Sequence, residues 1–390
     1  MKKIIYIALL SITYVLSGQF WFNIVPLEQI LLENPKIKYL KCTEKMPYEA
    51  PEFEILPQMP HKVIFDELFI LTIPEGKVQG SRGHTVIDGN IFIREFVWFD
   101  RFDFLNEVVP IPSDQVIKVS GRVAVITQLS HVNYFHFINE TLGRLALLEM
   151  HNVEYDWLYI PYDIPMIKSF LTLWGVDPNK IISPVDVYYC VQADELIIPS
   201  FNLNTDAGFR HTGIFIHPKT MNYVKQKIIN NFAKERAHKS FSKKVFVSRK
   251  DGFCRRILNE DEIFELFEPL GFVRYELSKM TIEEQISLFQ NAEIVVGEHG
   301  AGFANLLFCK SGTVVIELFQ ALVETCVWWL SLVNNLEYHP VKLLDIDLSY
   351  SLNWQQYPWI QAWNSTINVP LDAIYPVIEM LKKDQHTEKL

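Results

Sequence analysis

Cysteine is scarce in this chain of 390 residues: five are present, Cys42, Cys190, Cys254, Cys309 and Cys326, odd in number and widely spaced. No CxxC and no Cys/His ligand pair occurs, which argues against a disulfide framework and a structural zinc site. Positive charge is also short. Lys plus Arg is 36 against 46 for Asp plus Glu, a net charge of −10, the wrong sign for a default nucleic-acid binder. No GxGxxG, no Gly-Lys-Ser/Thr P-loop and no DxD appears; Asp100–Arg101–Phe102–Asp103 is a loose pair only. Nicotinamide chemistry, Walker-type ATP hydrolysis and a carboxylate-held metal therefore have no motif to rest on, and the expectation is no metal and no cofactor.

What is present is globular. Hydrophobic residues make up 49% and charged residues 21%, and the length suits two domains. Lys2 and Lys3 precede 13 uncharged residues, Ile4 to Leu16, the pattern of a secretory signal or short anchor. This sets the expectation of membrane association or the secretory pathway; a buried first strand in a cytoplasmic protein is the alternative. Asn139–Glu140–Thr141 and Asn364–Ser365–Thr366 are sequons that matter only in a glycosylating compartment.

Residues 19–60 hold six of the 20 prolines and read as an extended lead-in. Short strands follow at Val63–Phe65, Thr85–Ile87, Ile91–Phe96 and Val123–Ile126, with a turn at Asp88–Gly89–Asn90. The spacing predicts a helix over Tyr134–Met150, a strand at Trp157–Pro161, a helix over Pro165–Trp174 and a strand at Glu195–Pro199. Asn202–Gly213 is polar and reads as a linker, and a helix covers about Pro218–Ala237. Beyond it, strands at Val245–Ser248, Phe272–Leu277, Ile294–Val296 and Thr313–Leu318 alternate with helices. Asn259/Glu262 and Thr281/Glu284 are read as capping boxes, and Gly300–Phe308 as a short helix. Repeated βα units imply a doubly wound parallel sheet.

Three constellations carry possible chemistry. Lys243–Arg256 packs six basic side chains and one acid into fourteen residues. Arg249, Arg255 and Arg256 there sit on a strand end and the following loop, where α/β sheets bind ligands and guanidinium groups grip phosphate. A solvated surface loop is the competing reading. Next, Gly297–Glu298–His299–Gly300–Ala301–Gly302 follows a strand, and its small residues let a ligand approach the N–H groups of Ala301 and Gly302. Third, His136, Glu140 and Arg144 fall at i, i+4, i+8, so they share one helix face. A surface Glu140–Arg144 pair beside an ordinary histidine is the plainer account of them. Glu317, placed at a strand end, can accept from a hydroxyl or cap a loop.

In order, NYFHFINETLGRL, VFVSRKDGFCRRILNEDE, EEQISLFQNAEIVVGEHGAGFANLLF and GTVVIELF resemble family 61 glycosyltransferases, from about Val78 to Leu318 and most specifically over 243–318. The family includes plant xylosyl- and arabinofuranosyltransferases, protein-linked N-acetylglucosaminyltransferases and bacterial polysaccharide-assembly proteins. Phe303–Ala304 departs from its usual aliphatic-Thr pair, and Glu298 falls at a variable position.

The resemblance implies an α/β, GT-B-like fold: two Rossmann-like domains facing a cleft, with extra β-structure near the N-terminus. On that plan 1–27 is a signal or anchor-like segment and 28–215 the acceptor-side domain. Residues 216–345 bind the nucleotide sugar, and 346–390 end in a helix packed back on the first domain. It further implies an inverting, metal-independent hexosyl- or pentosyltransferase with a nucleotide-sugar donor, UDP-sugar by first choice, and a glycan or glycoprotein acceptor. Arg249, Arg255, Arg256, His299, Gly300, Ala301 and Gly302 then face the diphosphate, and Asn305 and Glu317 face hydroxyls. His136 is the first choice for the base, Glu298 the second, and Arg144 and Glu140 orient. The alternatives are another GT-B nucleotide-sugar enzyme, an epimerase or pyruvyltransferase, or a non-catalytic glycan-binding protein on the same fold.

Overall fold

A computed structural model describes residues 12–16, 20–52, 62–87, 91–96, 108, 110–201, 216–233, 240–252, 254–320, 324–343 and 366–387. The linker expected at Asn202–Gly213, the turn at Asp88–Gly89–Asn90, the Asp100–Asp103 pair and the first two residues of the second sequon lie outside these residues. The chain divides into two compact units, residues 1–46 with 66–202, and residues 47–65 with 203–390.

The first unit is built on a mixed sheet. Its strands run in the order Ile181–Ile182, Trp157–Tyr159, Ile117–Val125, Cys190–Pro199, Phe69–Pro74 and Lys38–Lys41. The first four are parallel and the last two antiparallel. The alternating apolar residues Val123 and Val125, with Leu71, Ile73, Leu196 and Ile198, form the core on one face. Successive strands Ile117–Val125, Trp157–Tyr159 and Ile181–Ile182 step one way. Cys190–Pro199 then returns to the other side of Ile117–Val125, so the order reverses between those two strands. Extra β-structure is present near the N-terminus: Ile12–Leu16 pairs antiparallel with Phe20–Val25, which pairs parallel with Ile91–Ile93. The apolar run thus enters a sheet at Ile12–Leu16, and among the described residues no helix is long and apolar enough to cross a membrane.

The helix expected over Tyr134–Met150 forms, but a π-helical turn, Phe137–Thr141, interrupts it. Asn133 starts it, its Oδ1 accepting from the backbone N–H of Phe135 at 2.9 Å and of His136 at 3.4 Å. The helix over Pro165–Trp174 forms as expected and stops at Gly175, whose φ of +91° is left-handed.

The second unit holds a fully parallel five-stranded sheet. Its order is Val273–Tyr275, Lys244–Val247, Ile294–Glu298, Val314–Phe319, Glu337–Lys342. The chain reverses direction across this sheet between Lys244–Val247 and Ile294–Glu298, a switch point of the kind where open α/β sheets bind ligands beyond the strand ends. The capping box at Thr281/Glu284 is present in full. The one expected at Asn259 is not: the helix Glu260–Phe267 begins there, but the Asn259 side chain makes no cap bond. It bonds instead in both directions with the Val369 backbone, each at 2.8 Å. A distant segment outcompetes the local cap.

Two further expectations are corrected. The C-terminal helix, expected to pack back on the first domain, contributes to the second unit's core. It spans Tyr375–Thr387, and Val377, Ile378 and Leu381 join Phe246, Phe267 and Ile316 in the second unit's core. Residues 47–65 also belong to the second unit, where Tyr48 and Phe65 lie edge-on to Trp329 at ring distances of 5.9 and 6.1 Å.

Candidate functional site

In the second unit, functional side chains gather at the C-terminal ends of the strands that flank the switch point. Ser248 and Arg249 leave Lys244–Val247. The buried Glu260 fixes them: Ser248 Oγ donates to its Oε1 at 2.6 Å, and the Arg249 backbone N–H donates to its Oε2 at 3.0 Å. Arg249 Nη2 donates to the Cys254 carbonyl at 3.0 Å, which turns the guanidinium back across the site. There it lies against Gly300: a Cβ on Gly300 would sit 1.8 Å from Arg249 Nη1, so no side chain fits. Arg249 Nε is buried with no hydrogen-bond partner. Burial and then the charge of Arg255 push the Arg249 guanidinium below its ordinary value. Arg255 itself is buried and left-handed at φ +53°, a strained conformation for a residue with a Cβ. Arg256 parts from them. It is exposed, in a two-residue strand paired with Thr366–Ile367.

Glu298 ends the strand Ile294–Glu298 and is 5% exposed. Its Oε1 accepts from the Gln320 amide, and its Oε2 is buried without a partner. Burial pushes its carboxyl up to about 8, against the opposing pull of Arg249 and Arg255. A shift in that direction favours the protonated form, which suits a hydrogen-bond donor better than a base. The next residue, His299, is buried, its Nδ1 2.5 Å from Glu317 Oε1. Glu317 lies inside its strand rather than at the end, fully buried, and its second oxygen accepts from Tyr338 Oη at 2.5 Å. Both of its oxygens have protein partners. Asn305 is buried too, donating to Gln285 Oε1 at 2.9 Å and the Gly302 carbonyl at 3.0 Å, so it ties the loop to the helix Ile282–Asn291. The segment read as a short helix is a 3-10 helix, Ala301–Phe308, whose first N–H groups at Ala301 and Gly302 have no acceptor within the helix.

The structure thus brings together Arg249, Arg255, Glu298, His299 and Gly300, and sets Arg256 apart. Gln320, Tyr338 and Glu260 were missed in the sequence. Glu260 stood inside the NEDE run, but its role depends on a contact with Ser248 and Arg249 that spacing does not reveal.

In the first unit, His136 Nδ1 is hydrogen-bonded to Glu140 Oε1, and the Glu140 side chain is buried at 1% exposure. This contact fixes the ring. The two side chains meet as the i, i+4 spacing expects, but not as a surface feature. Arg144 is fully buried: Nη1 donates to the Thr127 carbonyl at 2.6 Å and Nε to the Pro199 carbonyl at 2.9 Å, with Phe201 under the guanidinium at 4.6 Å. It clasps the two strand ends at the point of reversal. Arg144→Ala should lower the free energy of unfolding by about 3–5 kcal/mol, since two carbonyls lose a charged donor. Denaturant titration checks this, and nucleotide affinity at the second unit should stay within about twofold. Asn139 is 0% exposed, so the first sequon is not open to modification in the folded unit.

The family model described as Glycosyltransferase 61 matches residues 134–316, which takes in both constellations. Over these residues the chain is similar to family 61 glycosyltransferases. Curated proteins named EGF domain-specific O-linked N-acetylglucosamine transferase are similar to it in part. The Gallus gallus protein is 30% identical over 89 residues, 22% of this chain and 17% of its own length. The Xenopus laevis protein is 33% identical over 89 residues, with the same shares. The Mus musculus protein is 26% identical over 113 residues, 27% of this chain and 21% of its own length. The chain therefore matches about a fifth of the length of these curated relatives. Within the family 61 region, His136, Glu140, Arg249, Arg255 and the Glu298–Gly302 loop all fall inside the matched residues.

Proposed function

We propose that the protein is a glycosyltransferase that moves a sugar from a nucleotide-sugar donor to a glycan or protein-linked acceptor, with inversion at the anomeric carbon and no metal in the transfer step. The single observation that carries this is Arg249, laid across Gly300 at the switch point with Arg255 beside it and one buried N–H unpartnered. Two guanidinium groups that oppose each other gain most from a compact polyanion, and a departing nucleoside diphosphate is one.

On this reading the second unit holds the donor. His136 of the first unit, oriented by Glu140, takes the acceptor hydroxyl's proton through Nε2 as that oxygen attacks the anomeric carbon. The diphosphate leaves into the Arg249–Arg255–Gly300 site, where positive charge and the first N–H groups of the Ala301–Phe308 turn meet the growing negative charge. Attack opposite the leaving group inverts the centre. A GT-B-like pairing of the two units is part of the proposal, since such an enzyme needs one unit for each substrate. The names of the curated relatives favour UDP-N-acetylglucosamine among UDP-sugars and a protein acceptor.

Isothermal titration against UDP, GDP, ADP, dTDP and CMP tests the donor half. One nucleoside diphosphate should bind with a Kd of micromolar order, about −8 kcal/mol. No binding across the panel would remove the proposal's basis.

A further inference from the structure

His299 sits between two carboxylates of different character. Glu317 lies inside, fully buried, 2.5 Å from Nδ1. Glu324 lies outside, its side chain 42% exposed and its Oε2 3.5 Å from Nε2. The sheet register explains the inner partner. Gly297 stands opposite Glu317, so the chain leaving Glu298 passes over the Glu317 side chain. Tyr338 stands opposite Val315, on the same sheet face as Glu317, and its hydroxyl reaches the free carboxylate oxygen. The Phe319 ring stacks on the imidazole at 5.8 Å and 21°, which fixes its plane.

We propose that Glu317, backed by Tyr338, is a positioning residue that keeps His299 an imidazolium, so that His299 serves as a third cation beside Arg249 and Arg255 for the donor's phosphates. This rests on the donor reading above and changes the role of Glu317 from ligand contact to charge setter. With Nδ1–H donated inward, Nε2–H is the outward donor. Glu324, half exposed, holds its place until a phosphate oxygen takes it.

The charged and titratable groups around the ring are Glu317, Glu324 with the thiol of Cys326, Tyr338, Arg255, and Glu298 just before it in the chain. Burial opposes charge on His299, but the attraction and hydrogen bond of Glu317, with Glu324, outweigh burial and Arg255, and the net shift is upward. The sign follows. The positive charge is present below the raised value and is lost as pH rises through it, and phosphate binding is lost with it. His299 Nε2, a Glu324 oxygen and Cys326 Sγ also lie within 4.8 Å of one another. Arg255 acts on both His299 and Cys326 as a positive neighbour, which disfavours a dication there, so the group is read as an ion-pair network.

The test uses the full chain with ring-15N-labelled histidine, the His299 signals being assigned by their loss in His299→Gln. The wild-type ring should be an imidazolium at neutral pH. In Glu317→Gln, which keeps the size and the acceptor for Nδ1–H, the ring should be neutral at that pH and charge only on acidification. UDP affinity of the variant should fall about tenfold at about pH 7.5 and return to within about threefold of wild type at about pH 5.5. Tyr338→Phe, a milder change, should lower UDP affinity by about threefold. A wild-type His299 ring that is neutral at pH 7, or a Glu317→Gln loss that is the same at both pH values, overturns the assignment. One equivalent of zinc bound by wild type and lost in Cys326→Ser overturns it too, because Nε2 would then be a ligand. If wild type binds no UDP or other nucleoside diphosphate, the donor reading fails, while the ring titration still decides the state of His299.

Discussion

His136→Ala is expected to lower kcat about a thousandfold while leaving the donor's Kd within about twofold, because a positioned base contributes roughly 10²–10⁴ in rate and makes no ground-state contact with the donor. The geometry behind this is local to the first unit. Asn133 caps the turn and Glu140 takes the Nδ1 nitrogen, so Nε2 is the nitrogen assigned to the proton. Glu140→Gln should therefore lower kcat less, about tenfold to a hundredfold, since the ring is kept but the negative charge that stabilises its protonated form is gone. Rapid-quench turnover with a separate donor titration checks both. Equal losses in kcat and donor affinity for His136→Ala would contradict the base assignment.

The second large effect belongs to Arg249. Arg249→Ala should weaken nucleoside diphosphate binding by about a hundredfold, the value of one charge-assisted, two-pronged contact, with little change in fold. Arg249→Lys should recover little of it, because an ammonium cannot both hold the Cys254 carbonyl and lie flat against Gly300. Gly300→Val should mimic the loss without removing any charge, since its Cβ displaces the guanidinium. Combined with Arg249→Ala it should add almost nothing, as two changes at one contact do not sum. An unchanged titration in Arg249→Ala would take the residue out of the site.

The features that could be read from the sequence are the ones set by neighbours in the chain. The βα units beyond Lys244 announce themselves through short apolar strands, the capping box at Thr281/Glu284 and the glycine at Gly271 that ends a helix at φ +86°. The basic run and the Gly-rich loop were legible because strand ends at a switch point are where ligands bind. What stayed hidden depends on distant partners. Asn259 has the right residue three places on for a cap, yet the Val369 backbone takes its side chain. Arg144 has helical spacing to Glu140, yet it is drawn to two carbonyls that the sheet leaves open. The π turn at Phe137–Thr141 buries Glu140, which heptad-like counting would place on a surface. Glu317 reads as a strand-end carboxylate, and only the register with Glu337–Lys342 shows that Tyr338 completes its hydrogen bonding.

The net charge of −10 takes on a different meaning with these partners known. Of the local basic run, Lys243 and Lys250 are neutralised by Glu293 and Asp261, each at 2.5 Å, and Arg256 faces solvent. Arg249 and Arg255 act on each other and on Glu298. The positive site is thus two guanidinium groups wide, the size of a diphosphate rather than of a polymer.

The central claim is that this site holds a nucleotide sugar whose diphosphate departs. The most direct measurement follows release of nucleoside diphosphate from a panel of nucleotide sugars, with and without glycan and glycoprotein acceptors, and reads the anomeric configuration of the product by NMR. Release should occur from one donor, depend on acceptor and on His136 and Arg249, and give an inverted product. Epimerisation of the donor without acceptor, or glycan binding with no nucleotide bound or released, would contradict it.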